Sequence, residues 1–432
     1  MLPSKFIFLR LTAVSLFLSA CSTAYEGTAI QSWDKMASGN VDVALDDYQD
    51  KVKSDKDRLL LLMDKGILLR VAKRYEESNI QFLEAARIID MAGYTDIGEE
   101  AATLLVNEKQ KVYQGEDFEK TLIHAFLALN FIQLKNWDEA LVEVRRVNEI
   151  LFQMMSEGKR PYTLNAFASY LGGLLYEKDA QINDALISYK DTLKIDPNLE
   201  KIFPVLKIDL MRTNLLMGFQ DNFKELEAKF GKELAQEATE ITKNKSAQVV
   251  LIYESGKSPQ KYSSREQHSR RAKGGSLVEM TFPVAYYRSR PSLIKKVRLN
   301  TESKSVMSSV LNDIDATAKK HLEDRMGRAI AKALAQAALK AGMATGIGMA
   351  TNSKELGLLA GIALIAMSEA DTRSWLLLPE NLQVAKLYLK PGRHKLSFDF
   401  VDRYGGLSGH EDLGVVDLKP NELRFFQVRS FN

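Results

Sequence analysis

A second cysteine is missing from this chain of 432 residues, so no intramolecular disulfide can form and stability must come from packing. The five histidines are scattered without metal-ligand spacing, and neither a G-x-S-x-G nor a Walker sequence occurs. Metal-assisted hydrolysis, serine-hydrolase chemistry and P-loop nucleotide chemistry therefore have no residues to run on, no cofactor is expected, and the chain reads as a non-enzyme. Charge of one sign is also scarce. Lys+Arg 59 against Asp+Glu 56 leaves +3, which gives no general affinity for nucleic acid. No apolar run reaches the about 20 residues a membrane-spanning helix needs: 11–18 and 356–367 stop at eight and twelve. What remains is a globular composition, 45% hydrophobic and 27% charged, long enough for two or three domains.

The stretch Leu18-Ser19-Ala20-Cys21, preceded by Lys5, Arg10 and the short apolar run, resembles the lipobox of bacterial lipoproteins. That resemblance implies removal of residues 1–20, acyl chains on Cys21, a tether over 21–27 and attachment to a membrane through those chains. Ser22 rather than Asp after the cysteine implies the outer membrane of a Gram-negative bacterium, on its periplasmic face. An ordinary secretory signal that ends in cysteine is the alternative.

From 28 to 243 the sequence is helical and repetitive. Gly173, Tyr176, Ala185, Tyr189 and Pro197 fall at the spacings of a tetratricopeptide repeat. Small Gly173 and Ala185 let two antiparallel helices approach, the tyrosines fill the space beside them, and Pro197 ends the second helix. A copy at 59–90 carries Gly66, Ser78, Phe82 and Ala85, and another at 121–152 carries Ala128, Phe131, Trp137 and Ala140. Ala44 and Tyr48, after Gly39-Asn40, fit half of an earlier copy. The insertion at 93–115 makes the array irregular and brings an apolar helix near 101–106 of its own; 199–240 is expected to cap the array. An unrelated helical bundle is the competing reading.

After Lys245 the texture changes. Strands are expected at 248–253, 277–287, 295–300, 384–390, 394–402, 414–418 and 422–431, with helices over 306–340 and 355–367. The fold class is thus α+β multidomain: an irregular helical array, then a β-rich domain over 246–432 with a Gly/Ala-rich helical hairpin inserted at about 304–369. Gly342, Gly346, Gly357 and Gly361 in that hairpin offer a close helix contact or an oligomer surface. Lys257, Lys261, Arg265, Arg270, Arg271 and Lys273 read as a basic loop, either merely solvated or facing an anionic partner. Asp371, Arg373 and Trp375 form a cluster that either recognises a ligand or plugs a helix-to-strand turn with a buried ion pair.

The segments VVLIYESGKSPQK at 249–261, ADTRSWLLLPENL at 370–382 and LKPGRHKLSFDF at 389–400, with the lipobox and the repeats, resemble a poorly characterised family of bacterial outer-membrane lipoproteins. The resemblance implies the same two-part architecture and a periplasmic protein or peptide partner, but no catalytic residues. The expected function is a lipid-anchored scaffold or adaptor in cell-envelope biogenesis or regulation. The alternative is a membrane-active or secretion-associated homo-oligomer built through the glycine-rich hairpin.

Overall fold

The computed structural model describes residues 24–51, 55–92, 112–156, 165–271, 277–323 and 370–431. Cys21, Lys273, the helix expected near 101–106 and the glycines at 342, 346, 357 and 361 lie outside the described residues.

The first half is a TPR-like array of helical hairpins. Its helices are α1 (Ala24–Ala37), α2 (Val41–Lys51), α3 (Arg58–Val71), α4 (Tyr75–Ala92), α5 (Asp117–Gln133), α6 (Trp137–Ser156), α7 (Ala166–Lys178) and α8 (Ile182–Ile195). They continue with the short α9 (Leu199–Ile202), then α10 (Val205–Leu216), α11 (Gln220–Phe230) and α12 (Lys232–Lys243). Each hairpin turns through a residue in left-handed conformation: Gly39, Lys73, Lys135, Ala180 and Gly218. A turn at Gly218 also joins α10 to α11, but α11 buries none of its residues.

Packing inside the hairpins follows from two positions of each second helix. The fourth residue is small (Ala44, Ser78, Ala140, Ala185) and the eighth is large (Tyr48, Phe82, Val144, Tyr189), and all eight are buried. At Gly66 an added Cβ would sit 2.4 Å from Cε1 of Phe82, and at Gly173 2.4 Å from Cε1 of Tyr189. The aromatic ring lies on the bare backbone of the first helix, which is why those two sites carry glycine. Ala128 is buried, while Phe131 and Tyr176 are partly exposed and pack at the margin of the core. Pro197 stands in the turn after α8.

A turn over 244–246 carries α12 directly into the β-rich half. Its strands are β1 (Ala247–Ser255), β2 (Lys257–Arg271), β3 (Leu277–Arg290), β4 (Ile294–Asn300), β5 (Ser305–Met307) and β6 (Ser309–Asp313). After a helix that starts at 314 come β7 (Asn381–Leu389), β8 (Gly392–Asp402), β9 (Leu407–Leu418) and β10 (Leu423–Arg429). One sheet has the order β10-β1-β7-β6 and a second β5-β4-β8-β9, while β2 and β3 form a separate two-stranded ribbon. β1 runs parallel to β10 and antiparallel to β7.

Alternation along β1 decides the assembly. Val249, Leu251 and Tyr253 join Val297, Leu299, Leu396 and Phe398 in the core between the two sheets. Val250 and Ile252 join a larger core with Leu60, Phe126, Leu171 and Leu206 of the helices. With both faces covered, β1 and β7 are buried along all nine residues. The concave side of the array is therefore closed over one face of a β-sandwich.

Three expectations need correction. The basic stretch at 257–271 is a strand paired with β3, because every second residue of the partner strand is apolar and the two segments match in length. The helix expected from 306 starts at 314: the β-branched residues Val306 and Val310 are taken into β5 and β6, and β6 pairs with β7. The penultimate strand begins at Leu407 rather than 414, since β9 follows β8 along nearly its whole length.

Candidate functional site

The array's concave side holds an extended segment of the chain's own backbone. Residues 371–380 leave the region of α3 and α5 and run into β7 with few backbone hydrogen bonds of their own, so their polar groups need partners elsewhere. Side chains supply many of them. Tyr25 Oη donates to Ser374 O at 3.0 Å and Trp33 Nε1 to Leu376 O at 3.0 Å. The Trp375 amide donates to Glu119 Oε1 at 2.7 Å. From the ribbon, Ser258 Oγ donates to Trp375 O at 3.1 Å and Arg290 Nη2 to Leu376 O at 2.8 Å. Arg429 of β10 donates to Leu377 O.

The Trp375 indole fills a cage between α4 and α5, edge-on to Phe82 (6.0 Å) and Phe126 (5.9 Å), which stack on each other at 6.1 Å. Arg373, 1% exposed, bonds Asp371 through Nε (2.9 Å) and Nη2 (2.8 Å) and Asp57 through Nη1 (2.9 Å). Burial pulls its basicity down, but the two carboxylates outweigh that and hold the guanidinium above its ordinary range. Glu119 is held by Tyr113 Oη at 2.6 Å and by the Glu116 amide at 2.9 Å. Burial, reinforced by Glu116, still pushes its carboxyl up.

Three cations meet on one ring beside this segment. Lys257, Arg290 and Arg429 lie 5.3, 5.8 and 5.0 Å from the centre of the Trp33 indole. Burial pulls both Arg290 and Arg429 down to about 10. Such crowding of like charge is tolerable because the indole face and the backbone carbonyls of 376 and 377 accept it.

Farther along the concave side, each polar residue on the sheet face has a helix partner. Arg70 chelates Glu254 (3.2 and 2.5 Å) and reaches Asn130 at 2.6 Å. Lys386 bonds Asp209 at 2.6 Å with both side chains fully buried, and Tyr170 donates to the same carboxylate at 2.7 Å. Burial lowers Lys386 to about 8, Asp209 only partly opposing it. Arg212 pairs with Glu177, which also accepts from Gln248 at 2.9 Å.

Two members of the basic set have partners within the fold. Lys257 faces Trp33. Lys261 is buried 2.6 Å from Glu116 Oε1; burial alone would lower it, but Glu116 and Asp371 hold it above its ordinary value. Arg265, Arg270 and Arg271 lie on the outer part of β2. The repeat residues Gly66, Phe82, Ala85, Ala128, Phe131, Ala140, Gly173, Tyr176, Ala185 and Tyr189 build the walls of the array, and Phe82 also meets Trp375 of the bound segment. Tyr25, Trp33, Glu119, Ser258, Arg290 and Arg429 carry no motif that would mark them in sequence. Among the described residues no group of three His, Cys, Asp or Glu could hold a metal ion, and no helix is long and apolar enough to cross a membrane.

No family model matches this chain, and none of the curated proteins does. Solved structures overlap with about half of it. MamA from Desulfovibrio magneticus is 17% identical over 51% of this chain and 96% of its own, with a TM-score of 0.30. Aspartyl phosphate phosphatase F from Bacillus subtilis is 15% identical over 51% of this chain and 53% of its own (TM-score 0.34). The Pseudomonas aeruginosa protein pilF is 14% identical over 50% and 81% (TM-score 0.32). Overlaps this low add nothing to the fold described above.

Proposed function

We propose that this chain is a non-catalytic adaptor, held by acyl chains on Cys21 at the periplasmic face of an outer membrane and serving envelope biogenesis or its regulation. A TPR-like array suits protein–protein interaction, but here the concave side is filled from within, so the partner surface lies on the outer side. One observation carries this reading. Ile80, Val142 and Ile187 take the same position, the sixth residue, of α4, α6 and α8 and are 63%, 46% and 48% exposed. Acids stand a turn before each of them: Glu77, Glu139 and Asp184. Exposed apolar residues at equivalent positions of three hairpins, each with an acid one turn before it, fit a basic, apolar segment of another periplasmic protein.

Photo-crosslinking groups at Val142 in intact cells test it. One defined heterologous partner, lost in Ile80→Asp/Ile187→Asp with the melting temperature unchanged, is expected; only self-crosslinked species would refute the adaptor reading. The anchor is tested separately by Cys21→Ser, which should release the chain from membranes or leave it unprocessed. Each buried methylene of an acyl chain is worth about 0.8 kcal/mol. Sedimentation of processed Cys21→Ser with outer membrane after a salt wash would refute the lipid anchor.

A further inference from the structure

The cations around Trp33 lack counter-ions. Lys257 and Arg290 are directly opposed in the register of β2 and β3, so their side chains leave the same face of the ribbon side by side. Both are partly exposed, and both reach the Trp33 indole of α1, which Arg429 of β10 approaches as well.

Arg290 directs its hydrogen bonds to neutral oxygens: Ser258 O at 2.7 Å, Ser258 Oγ at 3.3 Å and Leu376 O at 2.8 Å. The Lys257 ammonium has neither a hydrogen bond nor an ion pair among the described residues. Arg429, with its side chain 7% exposed, has no hydrogen-bond partner at Nε or Nη1, and Glu254 Oε2 stands 3.5 Å from Nη1. That carboxylate is already chelated by Arg70. Asp64 also acts on Arg290 and Arg429, but burial pushes its carboxyl up to about 7. Four cations against one ionised carboxylate leave three positive charges unmatched. The indole face and the backbone carbonyls offset part of this, yet they carry no net charge. Like charges directly opposed on paired strands repel, and a buried charge without a counter-ion is costly.

We propose that this cluster is a receptor for a phosphate group, bound between Lys257 and Arg290 beside the Trp33 indole, with Arg429 on its buried side. The amount of unmatched charge selects the class. A carboxylate would neutralise one cation of three, whereas a phosphate group brings close to two negative charges and acceptor oxygens enough for two guanidinium groups and an ammonium. Placed between Lys257 and Arg290, it turns their repulsion into two charge-assisted contacts. It also ties the ribbon, the first helix and the last strand through one group. Free phosphate and a lipid headgroup both present that chemistry.

Equilibrium dialysis of the purified full chain against radiolabelled inorganic phosphate, with chloride at equal ionic strength as the control, tests the site. Binding is expected that chloride does not displace, and Lys257→Gln should weaken it about tenfold through the loss of one charge-assisted contact. The same change at Lys296, an exposed lysine of β4, should leave it unaltered. Lys257→Glu supplies a carboxylate from within the chain. It should melt above the wild type in phosphate-free buffer and no longer bind phosphate. Dihexanoyl phosphatidic acid below its micelle concentration separates the two sources: it should displace the label about tenfold better than unlabelled phosphate if the group arrives on a lipid, and no better if it arrives free. Absence of phosphate binding, equal losses in Lys257→Gln and Lys296→Gln, or phosphate affinity kept in Lys257→Glu would overturn the proposal. So would a melting temperature of Lys257→Glu below that of the wild type without phosphate.

Discussion

Replacing Asp64 by asparagine should flatten the pH dependence of stability in one defined window. Asp64 lies on α3, wholly buried, and accepts a hydrogen bond from Tyr48 Oη at 2.6 Å. Burial pushes its carboxyl up to about 7, and hydrogen bonds from Tyr48, Tyr25 and the Leu377 amide only partly oppose this. In the unfolded chain the group titrates near 3.9. With the folded value raised, the native state holds a proton that the unfolded state has lost, so this contribution is complete below about pH 4 and disappears as pH rises to 7. A difference of about 3 units is worth about 4 kcal/mol, falling by about 1.4 kcal/mol per pH unit and level above about pH 7.5. Asparagine keeps an acceptor for Tyr48 without the titration. Urea unfolding of both proteins at pH 5, 6, 7 and 8 isolates the effect, since all other groups cancel in the difference. The stability of Asp64→Asn relative to wild type should rise by about 2–3 kcal/mol between pH 5 and 7 and then stay level. Parallel pH curves would refute a protonated, buried Asp64.

Other substitutions probe the packing around it. Trp375→Ala removes a side chain 1% exposed and empties the Phe82–Phe126 cage, for a loss of about 3–5 kcal/mol in chemical unfolding and faster proteolysis near 370–380. Gly173→Leu forces its side chain into Tyr189, 2.4 Å from the first added carbon, and should lower stability by about 1–3 kcal/mol or more; an unchanged melting curve would remove the tight contact. Lys386→Met leaves Asp209 buried without its cation and should cost about 3–5 kcal/mol, much of it recovered in Asp209→Leu/Lys386→Met, as a double-mutant cycle would measure.

The parts of this fold that could be read in the sequence are those set by neighbours close in the chain. Gly66 and Gly173 announce the ring that lies on them because the helical hairpin brings Phe82 and Tyr189 back within sixteen residues. Left-handed turns at Lys73, Lys135 and Ala180 are not legible, since non-glycine residues occupy them. The bound segment was half legible. Asp371, Arg373 and Trp375 stood out as a cluster and Arg373 does pair with Asp371, but its other partners are remote: Asp57 is 316 residues away and Tyr25, which holds Ser374, 349. Nothing local encodes such pairings. The basic stretch 257–271 misled because its own residues alternate poorly; only the register with β3 shows it to be a strand.

Closure of the array over the sheet changes what the repeats are for. The helix face of the sheet presents Gln248, Glu254, Lys386 and Gln427 among its apolar residues, and each meets a polar group on the concave side. Apolar side chains alone would let the sheet slide along the array, whereas Lys386 fits only over Asp209 and Glu254 only over Arg70. Buried pairs of this kind add little net stability against well-packed apolar substitutes, yet each misalignment would strand a charge at several kcal/mol. The helical half thus works as a clamp in fixed register around the sandwich and the 371–380 segment. A partner that needed the concave side would have to break that register, whereas the exposed Ile80, Val142 and Ile187 can be approached without breaking any of these pairs.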